Sequence, residues 1–207
     1  MLILKSKYKK CIKKIFFPFY KWEEFFMKKI LLSIFCVFAI VLLSGCEMDN
    51  TPTRKVERFL DNYRNLDETV INQMNDIVAS DTMMNDAQKE EYRNVLKRQY
   101  QDLTYTIKDE TVDGDTAVVT VEIDVYDYYK ATLDSDAYYT ANPDQFKDDA
   151  GNLDQSKYLD YKIEKMKNTM ERVKYTIDFT LKKENGNWIM DEITDATRQK
   201  IHGLYAY

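Results

Sequence analysis

The sequence predicts an α+β domain: N-terminal helices packed on one face of a curved antiparallel sheet of about four strands, with a helical insertion between strands two and three. Three observations predict it. Apolar residues recur at helical spacing in the first half of the domain. Strictly alternating runs follow them. Two Gly-containing turn signals, Asp113-Gly114 and Asn185-Gly186, join those runs in pairs.

Taken in order, Thr51 caps a helix with Pro52 at its first position. Val56, Phe59, Leu60, Tyr63, Leu66, Val70, Met74 and Ile77 continue it at helical spacing, so one long helix is expected up to a break near Ser80-Asp81. A second helix carries Tyr92, Val95, Leu96 and Tyr100 on one face. Leu103, Tyr105 and Ile107 alternate with Thr104, Thr106 and Lys108 as a half-buried strand does. After the Asp113-Gly114 turn, Val119, Val121, Ile123 and Val125 alternate with Thr120, Glu122 and Asp124. Tyr175, Ile177, Phe179 and Leu181 form the third strand, and Asn185-Gly186 turns the chain into a fourth, Trp188 to Ile193. Ala196 to Leu204 is expected to be a short closing helix. The insertion spans about 126–170. Its first half reads as an acidic, Tyr-rich loop, and its second half as a helix carrying Leu159, Ile163, Met166 and Met170.

Composition narrows the function. The chain has 207 residues, and one His and three Cys leave little material for a His-based metal site, a His general base or a disulfide scaffold. No Gly-rich phosphate loop, Ser nucleophile elbow or Cys–His pair is present. Residues 1–45 hold nine Lys and two Glu, so 46–207 carries 21 basic and 33 acidic residues, a net charge of −12. A chain that acidic does not neutralise phosphates, so no nucleic-acid partner is expected.

The N-terminal segment is a targeting signal. Met27-Lys28-Lys29 is a basic start, and Ile30 to Leu43 is an apolar run of 14 residues broken only by Ser33. That is shorter than the ~20 residues of a spanning helix. Leu43-Ser44-Gly45-Cys46 follows, then the polar stretch Glu47-Met48-Asp49-Asn50. The tetrad resembles the lipobox of bacterial lipoproteins. The resemblance implies diacylglyceryl transfer to the Cys46 thiol and cleavage between Gly45 and Cys46. The chain then divides as 27–45 signal peptide, 46–51 lipidated tether and 52–207 folded domain. Residues 1–26 are either an over-extended start or a long n-region: the codons of Trp22-Glu23-Glu24 can hold a ribosome-binding-like sequence just before Met27. The expected address is the extracytoplasmic face of the cell membrane, with the lipid on Cys46 as the membrane contact. Two acyl chains suffice for stable anchoring.

Thr51-Pro52, the hairpin Val112-Asp113-Gly114-Asp115-Thr116-Ala117-Val118-Val119 and the hairpin Glu184-Asn185-Gly186-Asn187-Trp188-Ile189 together resemble NTF2-like (cystatin-like) lipoproteins of low-GC Gram-positive bacteria. The resemblance covers most of 52–194 and implies a cone-shaped fold.

Three candidate chemistries remain. Glu122, Asp124 and Asp178 lie on the polar faces of strands. They are either a carboxylate–Tyr catalytic pocket in the cone or a solvated face, and alternation alone favours the second. Asp134, Asp136, Asp144, Asp148, Asp149, Asn152 and Asp154 crowd one stretch as hard oxygen donors. The run 148–154 does not match a Ca²⁺ loop, and no metal or cofactor is expected. Tyr126, Tyr128, Tyr129, Tyr138 and Tyr139, with Tyr158 and Tyr161 beyond them, offer apolar faces with polar tips to an envelope protein, a peptide or a glycan. The bland alternative has Tyr128 and Tyr129 finishing a strand and the other tyrosines packing the insertion. His202, solitary near the C-terminus, is expected at the surface. The sequence therefore points to a non-catalytic binding module, with a small-molecule enzyme as the alternative.

Overall fold

In a computed structural model, which describes residues 50–207, the chain opens with helix α1 (Pro52–Arg64). The Thr51 hydroxyl accepts from the Arg54 N–H, and Val56, Leu60 and Tyr63 are buried. The expected long helix is in fact two. Leu66 adopts φ +52°, and the Asp67 carboxylate caps the next segment through the Thr69 N–H. Helix α2 (Glu68–Ser80) starts there and buries Val70, Met74 and Val78. The apolar spacing runs on across the break, so periodicity alone does not reveal it. Helix α3 (Asp86–Gln101) begins with a capping box in which Asn85 and Gln88 satisfy each other's backbone N–H groups.

Strand β1 (Thr104–Asp113) turns through Gly114, at φ +58°, into β2 (Thr116–Tyr126). Strand β3 (Arg172–Glu184) turns through Asn185 and Gly186, at φ +50° and +81°, into β4 (Asn187–Met190). The fourth strand thus stops before the expected Ile193. The four strands form an antiparallel meander in the order β1-β2-β3-β4. Together with the helices this is the α+β architecture the sequence predicts. The register of β1 slips between Ile107 and Asp109. This bulge carries Glu110 to the helix side, where its carboxylate accepts from the Thr53 N–H (2.9 Å) and hydroxyl (2.5 Å) in the first turn of α1. A carboxylate there also complements the positive end of the helix.

The core lies between the helices and one sheet face. Val119, Val121, Ile123, Ile177, Phe179 and Leu181 meet Val56, Leu60, Leu96 and Tyr100. Tyr63 packs edge-on against Tyr100 with ring centroids 5.0 Å apart. Helix α6 (Asp195–His202) closes the domain with Ile201 and His202 buried. His202 is therefore not at the surface. Its Nε2 lies 2.9 Å from the Tyr100 hydroxyl, and burial, aided by the Arg198 charge, depresses its pKa to about 4.

Between β2 and β3 the chain forms helix α4 (Tyr128–Ala141), a 3₁₀ turn (Pro143–Phe146) and helix α5 (Gln155–Asn168). The stretch expected to be a loop is thus mostly helix. Asp127 caps α4 through the Lys130 N–H, and the helix buries Tyr128, Ala131 and Ser135, a line too small and polar to read as a stripe. Tyr128 and Tyr129 start this helix and do not extend β2. Among the described residues no helix is long and apolar enough to cross a membrane. The segment expected to be a signal peptide, with the expected cleavage at Gly45 and lipidation at Cys46, lies outside the described residues.

Candidate functional site

The polar face of the sheet carries the three candidate carboxylates, Asp178 exposed and Glu122 and Asp124 half-buried. Glu122 pairs with Lys174 (3.1 Å) and Lys108 (3.3 Å), which hold its carboxyl below the usual range. Asp124 pairs with Arg172 at 2.5 Å, and Asp178 accepts from the Thr120 hydroxyl at 2.7 Å. The opposite sheet face is filled by apolar side chains. The acidic stretch is likewise committed to local structure. Asp148 accepts from the Ala150 and Asn152 N–H groups, Asp154 caps α5, and Asp144 pairs with Lys147. Among the described residues no three His, Cys, Asp or Glu side chains converge as a metal site would require.

The tyrosines divide into two sets. Tyr126 and Tyr128 are buried, 7% and 0% exposed, which leaves them no face for a partner and corrects their assignment to a binding surface. Their rings stack at 6.0 Å, and the Tyr128 hydroxyl donates to Val95 O. The Tyr126 ring lies under the Arg98 and Arg172 guanidiniums, and its backbone N–H and C=O are both satisfied by the buried Gln99 amide (2.9 and 3.0 Å). Sequence reasoning missed Gln99. Its signal was a polar residue at a helix position flanked by the apolar Leu96 and Tyr100.

The other set forms an aromatic patch on the outer side of α4 and α5. Buried Phe146 is the hub. Tyr139 packs edge-on against it at 5.1 Å, and Tyr161 at 5.5 Å. Tyr138 stacks on Tyr161 at 4.9 Å, and Tyr158 lies 4.6 Å from Tyr139. These tyrosines are half-buried, so each keeps an edge or tip in water. The Tyr158 hydroxyl donates to Asp136, and burial, together with that bond, raises its pKa. Lys162 and Lys165 sit over the Tyr158 and Tyr161 rings, at 5.9 and 5.2 Å. Tyr129 stands apart from the patch, against Tyr207, whose hydroxyl donates to the capping Asp127.

Beneath the helical pair lies a half-open cavity of about 290 Å³, between the α2–α3 turn, α3, α4, α5 and the C-terminal tail. Its walls include Leu159, Ile163, Met166 and Leu204.

No protein-family model and no curated protein matches the chain. Among solved structures, the crystal structure of a candidate lipoprotein, YcdA of Bacillus subtilis, is similar at 15% identity with a TM-score of 0.42. The match covers 68% of this chain and 47% of YcdA, so the chain spans about half the length of that protein.

Proposed function

We propose that the protein is an extracytoplasmic lipoprotein, held at the cell membrane by acyl chains on Cys46. Its NTF2-like domain would act there as a non-catalytic interaction module. The aromatic patch of Tyr138, Tyr139, Tyr158 and Tyr161 around Phe146 carries this reading. Half-exposed tyrosines offer large apolar area at low entropic cost and hydroxyls for hydrogen bonds, which suits a protein, peptide or glycan partner. The lipobox supplies the anchor, and the excess of acidic residues in 46–207 supplies no attraction to an anionic surface. The alternative, a carboxylate–Tyr enzyme, needs an acid with a raised pKa inside a pocket. Glu122 instead is half-buried on the open sheet face and ion-paired, with its pKa lowered.

Photo-crosslinking in cells tests the reading. A benzophenone amino acid replaces Tyr139, and in a control replaces Thr120 on the sheet face. A discrete adduct at position 139 that is absent at 120 is the expected result. No adduct at 139, or the same adducts at both positions, would overturn the assignment of the patch.

A further inference from the structure

The cavity beneath α4 and α5 combines an apolar floor with charged walls. Its floor is apolar, lined by Leu159, Ile163 and Met166 of α5 and by Leu204 of the C-terminal tail. Its mouth is folded by Asp81, whose Oδ1 accepts from the Met83 and Met84 N–H groups (2.8 and 3.0 Å) and so sets both methionines on the lining. Methionine adapts its shape to what it packs against.

Three polar groups lie on the lining. The Thr132 hydroxyl is buried with no hydrogen-bond partner among the described residues. A buried hydroxyl left so costs roughly 1–3 kcal/mol, and ordered groups usually satisfy it. The Asp81 carboxylate and the Lys162 ammonium both line the cavity and form an ion pair neither with each other nor with any other described residue. Other charges of the domain do pair, as in Lys108–Glu122–Lys174, Arg172–Asp124 and Lys130 with Asp134 and Glu171. Lys162 also lies over the Tyr158 ring. Tyr92, which packs against both core clusters and lines the cavity, has its phenol pushed up to about 12 by burial and by the Asp81 charge, a mark of a poorly hydrated wall.

An apolar floor, a carboxylate bonded only to backbone N–H groups and an ammonium with no ion pair among the described residues define complementary chemistry. We infer that this cavity is a binding site for a small apolar zwitterion: its ammonium faces Asp81, its carboxylate faces Lys162 and its apolar body lies on Ile163, Met166 and Leu204. At ~30 Å³ for a water's share of liquid volume, the cavity admits a body on the order of ten heavy atoms. That is the size of a free aliphatic amino acid. The site goes beyond the aromatic patch and does not depend on it.

The test uses the full chain in mild detergent, labelled with ¹³C at the methionine methyl groups and titrated with L-leucine. The Met84 and Met166 methyl signals, assigned by substitution, are expected to shift in a saturable way. Leucinamide, which lacks the anion, and N-acetyl-leucine, which lacks the cation, are each expected to bind roughly tenfold or more weakly, the scale of one lost hydrogen bond to a charged group. Lys162→Met is expected to lose the preference for leucine over leucinamide. Asp81→Asn keeps the Oδ1 acceptor that folds the turn and is expected to lose the preference for leucine over N-acetyl-leucine. Unmoved methyl signals at millimolar leucine would overturn the inference. So would equal binding of all three compounds, which would leave only an apolar cleft.

Discussion

Replacing Gly203 with Ala tests how the closing helix is locked to the sheet. Gly203 ends α6 in the left-handed region, φ +70° and ψ 21°, and its carbonyl accepts from the Tyr129 N–H at 2.7 Å. A Cβ there would overlap both Tyr126 O and Gln99 Nε2, the two atoms of a buried hydrogen bond. The left-handed backbone alone costs an alanine about 1–2 kcal/mol. Displacing Gln99 from Tyr126 leaves buried donors and acceptors unpaired, at roughly 1–3 kcal/mol each. The total is about 4 kcal/mol, a large part of the 5–15 kcal/mol typical of a domain. Gly114→Ala is the control. It has a similar φ of +58° with nothing within 4 Å of its added Cβ, so it bears the backbone term alone. Urea unfolding of both variants at neutral pH, read at constant m, supplies the comparison. Gly203→Ala within about 1 kcal/mol of Gly114→Ala would refute the claim that Gln99, Tyr126 and Gly203 form one close-packed joint.

Three further outcomes are expected. The His202 pKa is depressed from 6.5 to about 4, so the unfolded chain binds a proton in that window that the folded chain refuses. Stability therefore rises with pH across it, and acidification from pH 7 to pH 4 removes about 3 kcal/mol. His202→Gln is expected to flatten that slope, measured by denaturation at a series of pH values, and an unchanged slope would place the titration elsewhere. Asn50→Ala removes an acceptor from the Trp188 N–H (3.1 Å) and a donor to Gly186 O (2.8 Å), so the Trp188 amide is expected to exchange faster by NMR while amides in β2 are unaffected. Cys46→Ala is expected to leave an unlipidated, uncleaved precursor in the membrane fraction. Intact mass distinguishes it from a diacylated wild type, and a wild type retaining 27–45 unmodified would mean a spanning anchor instead.

The sheet was readable because alternation and burial coincide: Val119 to Val125 and Tyr175 to Leu181 each put every second residue into the core. The turns were readable because Gly114 and Asn185-Gly186 occupy backbone regions that few other residues tolerate. The break at Leu66 was hidden, since a single left-handed residue leaves the apolar spacing intact. Helix α4 was hidden for a different reason. What it buries is Ala131, a Ser135 hydroxyl bonded to Ala131 O, and a tyrosine, none of which marks an apolar face. His202 was misplaced because composition gives no sign that Tyr100, 102 residues earlier in the chain, would offer its hydroxyl. The same limit explains the tyrosines. Type and clustering were visible, but which rings face inward depends on Arg98 and Gln99, two α3 side chains that fix Tyr126 from across the fold.

These α3 contacts explain how a two-helix excursion can present a rigid surface. A long connection of this kind is entropically free to sample many positions unless its ends and its middle are tied. Here both ends are tied. Gln99 grips the backbone of Tyr126 at the entrance, and Arg98 donates to Lys167 O and Thr169 O at the exit. The middle is tied by Gln88, whose buried amide donates to Ser156 and Asp160 on α5. All three residues belong to α3, whose adjoining face lies in the main core through Leu96 and Tyr100. Helix α3 is therefore shared between the core and the helical pair. Loosening it at Gln88 should disturb the aromatic patch and the cavity while leaving the sheet intact, whereas loosening Leu96 should disturb both.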